Sequence, residues 1–135
     1  MSTAGEALAA AAETLVGVRF RLHGRDRAGG LDCVGLVAAT LTAIGREVRV
    51  PAGYRLRQLE PGMYLGAANV AGLQPAEGPL LPGDVLLVRP GPAQHHLLVA
   101  SRRGGFVHAH AGLGRVVHAP APLSWPVVRR WRLMD

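Results

Sequence analysis

The chain has 135 residues, 49% hydrophobic and 18% charged, which excludes a disordered segment and leaves room for one core without disulfides or metal. Its fifteen basic residues, all arginine, outnumber nine acidic ones for a net charge of +6. Such a surface suits nucleic acid or an anionic wall polymer, but a solvated basic face explains it more simply, and nucleic acid is not expected as a partner. The single cysteine excludes an intramolecular disulfide.

The first residues lack a basic start and a long apolar stretch. Ala7 to Ala12 is too short, and Glu13 interrupts it. Neither a signal peptide nor a membrane insertion is expected, so synthesis in the cytoplasm is. Residues 3–16 read as a helix. Thr3 is the N-cap with Glu6 three residues on, and Leu8, Ala11, Ala12, Leu15 and Val16 recur at helical spacing. Val18 to Leu22 is short and extended, and His23 to Gly30 is a loop. Cys33 to Ile44 is a second helix, apolar nearly all round and stopped at Gly45, which marks it as the buried central helix.

Arg46 to Gly53 reads as extended. Leu56 to Leu73 suggests one or two short helices broken at Pro61-Gly62, and Gln74 to Gly83 a loop. Strands follow at Val85 to Arg89, His96 to Ser101, Gly105 to His110 and Gly114 to His118, with spacers that suit antiparallel hairpins. Val127 to Leu133 is the last. Helices first and an antiparallel sheet second make an α+β layout, with residues 1–135 as a single domain.

Chemistry concentrates on Cys33 and the histidines. A thiol at a helix N-terminus lies beside unpaired N–H groups and the positive dipole end, which favours its thiolate. Such a nucleophile needs a base, and Gln94-His95-His96-Leu97 and Phe106-Val107-His108-Ala109-His110 offer candidates. His108 and His110 share a strand face, so with His95 or His96 a His-x-His metal pair is conceivable, but no carboxylate joins it in sequence. Trp125 and Trp131 read as packing anchors.

Four ordered segments resemble the NlpC/P60 family of cell-wall cysteine peptidases. Asp32-Cys33-Val34-Gly35-Leu36-Val37 is similar to its Asp-Cys-Ser-Gly-Leu-Val. Leu15 to Arg21 resembles its Gly-x-Pro-Tyr lead-in, Pro82-Gly83-Asp84-Val85-Leu86 its Gly-Asp-Leu, and His96-Leu97-Leu98-Val99 its His-Val-Gly-Ile. The resemblance runs from about residue 8 to 120. Val34 stands where the family has Ser, and Leu22 where it usually carries a Tyr hydroxyl near the site.

The resemblance implies a papain-like α+β fold, with the nucleophile at a helix N-terminus packed on a C-terminal antiparallel sheet. It implies a triad of Cys33, His96 and His108, no cofactor and no metal. The twelve-residue spacing to His108 favours His96 over its rival His95. Arg21, Arg25, His23, Asp32 and His95 are candidate substrate contacts, the arginines because guanidinium forks suit carboxylates. The implied activity is hydrolysis of an amide bond in the peptide stem of peptidoglycan, by an enzyme that reaches the cell wall with a phage or phage-like tail and partners its proteins. Two other readings stay open at this level. One is a structural tail component with little catalysis. The other is a cytoplasmic cysteine amidase or acyltransferase acting on a small amide or lipid.

Overall fold

The computed structural model describes residues 3–50, 62–92 and 94–135. Helix α1 spans Ala4–Glu13, and its N-cap is Thr3, whose side chain accepts the Glu6 N–H at 3.0 Å. A small hairpin follows, β1 Arg25–Asp26 with β2 Gly30–Leu31, inside the segment expected to be a loop. Helix α2 is Cys33–Ala43, capped by Asp32. Helix α3 is Gly62–Ala71, within the stretch 56–73 where one or two short helices were expected; residues 56–61 lie outside the described residues.

Strands β3 Leu73–Pro75, β4 Val85–Gly91, β5 Gln94–Ala100, β6 Phe106–His110, β7 Arg115–Ala119 and β8 Val127–Leu133 form one sheet in the order β3-β8-β4-β5-β6-β7. Every pairing in it is antiparallel. The architecture is α+β. Strand β3 falls where a proline-rich loop was expected. It is an edge strand, the position where Pro75 costs least, since a proline has no N–H to donate to a ladder.

Period-2 alternation divides the core between the two faces of the sheet. On the helix side, Leu97 and Val99 of β5 and Val107 and Ala109 of β6 pack with Leu36, Leu41 and Cys33 of α2. On the far side, Leu98, Ala100 and Phe106 pack with Leu86 and Val88, and Leu123 and Trp125 lean against them. The segment between β7 and β8 therefore covers the far face. Among the described residues no helix is long and apolar enough to cross a membrane.

Candidate active site

The first turn of α2 is built by Asp32. Its buried carboxylate accepts from Gly35 N at 2.8 Å and His23 N at 2.8 Å, and it pairs with Arg25 Nη1 at 3.1 Å. The cap fixes where the helix starts and ties the preceding hairpin to it. Gly35 completes the joint, because a Cβ there would collide with the carbonyl oxygen of Gly24. Cys33 is thus held at the first position of α2, fully buried.

Cys33, His95, His96, His108 and His110 line one cavity of about 470 Å³ with Trp125 on its wall. Its shape follows from two breaks in the sheet. Strand β4 bulges between Val88 and Gly91, opposite His95, and Pro90 sits in the bulge. Among the described residues, β5 and β6 pair only at Val99 with Val107 and Ala100 with Phe106, so they part beside the histidines. Continuing that register would set Leu98 against His108. His96 and His108 are then diagonal neighbours, within reach of each other for long or aromatic side chains.

They do meet: His96 Nε2 lies 2.9 Å from His108 Nδ1, with the rings 82° apart. Trp125 stands edge-on to both, at ring-centroid distances of 6.0 Å from His96 and 5.9 Å from His108. His108 is also 5.6 Å from the ring of His110. Among the described residues no set of three His, Cys, Asp or Glu side chains is arranged to hold a metal ion.

Burial dominates the electrostatics. It pushes the Cys33 thiol up to about 12, with the Asp32 charge adding to it, against the N–H groups of Leu97, Val34 and Cys33 itself. The helix N-terminus therefore does not make a resting thiolate, as its position in the sequence suggested; removal from water outweighs the dipole. Burial also depresses His96 to about 3, helped by His108 and His110, and His108 to about 4, helped by His110. At neutral pH the cavity holds a neutral thiol and a neutral imidazole pair.

The remaining expected contacts divide. His95 lines the cavity, and its Nδ1 is buried without a hydrogen-bond partner among the described residues. Arg21, His23, Arg25 and Asp32 do not line it. Asp32 and Arg25 serve the helix cap, and Arg21 and His23 are exposed beside it. Leu22 is exposed and outside the cavity, whereas Phe20 lines it. Trp125 is the residue that sequence reasoning missed as part of the site. Its signal was the run of prolines at 120, 122 and 126, which breaks regular structure after β7 and lets the chain return over the far face.

No protein-family model matches the sequence, and no curated protein matches it. Solved structures do. NlpC2 from Trichomonas vaginalis superposes with a TM-score of 0.73 at 19% identity, over 98% of this chain and 49% of that one. The NlpC/p60 domain of the peptidoglycan hydrolase SagA gives 0.58 at 22% identity, over 86% and 88%. The P60 domain of an antigen from M. avium subspecies paratuberculosis gives 0.62 at 20% identity, over 97% and 95%. The chain spans about half the length of the Trichomonas structures it matches. At these identities the likeness is one of fold, and the fold of this chain is that of the NlpC/P60 domains.

Proposed function

We propose that this chain, acting as one domain, is a cysteine peptidase that hydrolyses an amide bond in the peptide stem of bacterial peptidoglycan. The observation that carries the reading is the His96–His108 hydrogen bond in the same cavity as Cys33. It is the arrangement a thiol nucleophile needs: a base whose second ring nitrogen is held by an orienting partner. The fold shared with an NlpC/p60 domain of a peptidoglycan hydrolase supports the substrate class. The segment Gly30-Leu31-Asp32-Cys33 supports delivery to the cell wall with a phage or phage-like tail, whose proteins are then its partners.

His108 occupies Nε2 of His96, so Nδ1 is the nitrogen left for the thiol proton. With both groups neutral at rest, the proton moves as the bond forms. The Cys33 sulfur attacks the carbonyl carbon while His96 takes the thiol proton. The Cys33 backbone N–H, at the start of α2, donates to the oxyanion. The tetrahedral intermediate collapses to a thioester, and imidazolium His96 hands its proton to the leaving amine. Water then attacks the thioester with His96 again as base, releasing the acid and the thiol. His108 supports the imidazolium in both steps.

The test is digestion of purified peptidoglycan by wild type and by Cys33→Ala, with products identified by mass. New stem fragments from wild type alone are expected and name the bond. Identical digests from both folded proteins would sink the peptidase reading.

A further inference from the structure

Beyond His108, His110 and Trp125, a second cavity of about 480 Å³ opens on the far face of the sheet under the segment between β7 and β8. The three residues line both, so the two cavities adjoin there as two parts of a cleft. Its walls are of one chemical kind. Phe20, Pro90 and Ala109 flank the nucleophile, and Leu113, Val117 and Leu123 line the far part. Its polar groups are neutral hydrogen-bonding ones: the Gln94 carboxamide, the Ser124 hydroxyl and the imidazoles. None of the described residues lining either part is Asp, Glu or Arg, in a chain with 24 such residues by the sum of fifteen basic and nine acidic.

His110 shows the pattern at atomic scale. Its Nδ1 accepts the Leu113 N–H at 3.0 Å, which puts the ring proton on Nε2. The residue thus presents an uncharged N–H donor at the junction of the two cavities. Three arginines are engaged elsewhere: Arg25 with Asp32, Arg19 Nε with the Gly29 carbonyl, and Arg89 Nη2 with the Pro92 carbonyl; Arg115, the cross-strand partner of His110, lines neither cavity.

The direction of the cleft follows from the reaction. The imidazole returns its proton to the departing amine, so the amine lies on the imidazole's side of the sulfur. The second cavity lies beyond that imidazole pair and receives the amine half of the substrate. A carboxylate or ammonium drawn into such walls would lose hydration without gaining an opposite charge from the described residues, which is costly. A carboxamide or alkyl group meets matching donors, acceptors and apolar surface.

Resting on the peptidase reading above, we propose that the cleft selects substrates whose groups flanking the scissile amide are uncharged, carboxamide or alkyl in place of carboxylate or ammonium. The test uses two synthetic stem tetrapeptides that differ only in bearing free carboxylates or carboxamides on the residues flanking the bond. Wild type should cut the carboxamide form with kcat/KM higher on the order of tenfold or more. Leu113→Arg, at a rim position 58% exposed, should narrow or reverse the preference. Equal or faster cleavage of the carboxylate form by wild type overturns the inference. If neither peptide is cut, both are titrated into Cys33→Ala and followed by the histidine ring protons in NMR spectra. Tighter binding of the carboxamide form, with His110 shifted, upholds the inference while the peptidase reading fails. No binding, or tighter binding of the carboxylate form, overturns the inference itself.

Discussion

His96 Nε2 sits 2.9 Å from His108 Nδ1, a contact in which one ring donates and the other accepts. For His96 to accept a proton at Nδ1, its Nε2 must carry hydrogen and donate to His108 Nδ1, leaving the His108 proton on Nε2. His108 is then an acceptor that strengthens as His96 becomes imidazolium. Replacing His108 by Ala should lower kcat on the order of 10²-fold or more with little change in KM. Gln, whose side-chain oxygen can accept the same bond, should recover part of the loss. Equal kcat for wild type and His108→Ala would remove His108 from the mechanism.

Trp125 stands edge-on to both rings of the hydrogen-bonded pair. The other titratable groups that line the cavity with the pair are Cys33 from α2, His95 from β5 and His110 from β6, none of them a carboxylate. Burial holds His96 near 3 and His108 near 4, so the acid limb of kcat/KM should fall well below pH 6. Trp125→Ala admits water and should raise both values toward 6.5, moving that limb upward; Trp125→Phe should move it less. Histidine ring-proton titrations of the same variants read the shift without substrate. An acid limb unmoved in Trp125→Ala would show that the indole does not shield the pair.

Those depressed values also set an acid sensitivity of folding. Below pH 6.5 the unfolded chain binds protons at positions 96 and 108 that the folded chain refuses until about pH 3–4. Stability therefore falls as pH drops through that window. Thermal unfolding between pH 7 and pH 4 should show a decline in Tm that is shallower in His96→Phe. A Tm slope identical in the two proteins would contradict the assignment.

Most of this was legible in the residues, and the exceptions share a cause. The helix over Cys33 to Ala43 and the strands from Val85 onward announced themselves by periodicity and turn chemistry, and the order of Cys33, His96 and His108 pointed to residues that line one cavity. Strand β3 was hidden because its partner, β8, lies more than fifty residues away, and local propensity around Pro75 points to a loop. The two faces of β5 could not decide between His95 and His96, and both line the cavity. Nothing local in the sequence shows that Arg25 pairs with the Asp32 cap. The thiol's neutrality needed burial, which sequence does not measure.

Asp84, from the Pro-Gly-Asp turn, is buried and holds the sheet together. It accepts Arg132 Nε at 2.8 Å and Nη2 at 2.9 Å, and the Leu81 N–H at 3.0 Å. Arg130 and Arg132, its two cationic partners, remain partly exposed, so the cost of removing Asp84 lies in the charge-assisted bonds lost and the Leu81 N–H left without its acceptor. Asp84→Ala should lose about 1–3 kcal/mol of unfolding free energy in denaturant titrations. A loss below about 1 kcal/mol, the range of a surface pair, would show that the pair is no more than that.

Asp32 couples stability to the thiol. Its carboxylate caps α2 through Gly35 N, receives His23 N and pairs with Arg25. Its negative charge is also among the causes that hold the Cys33 thiol high, after burial. Asp32→Asn keeps an oxygen for Gly35 but sets an amide N–H₂ against the His23 N–H or Arg25. Loss of the cap in Asp32→Ala should cost about 0.5–2 kcal/mol, with roughly 1–3 more for the buried N–H groups left unpaired. Both variants remove the charge, so the thiol pKa should fall from its raised value. Iodoacetamide alkylation followed against pH should then show the reactive limb at lower pH in Asp32→Asn than in wild type. Destabilisation without that movement would leave Asp32 a cap alone. Movement of the limb in a variant that stays folded would show that the residue next to the nucleophile also sets how readily its proton leaves.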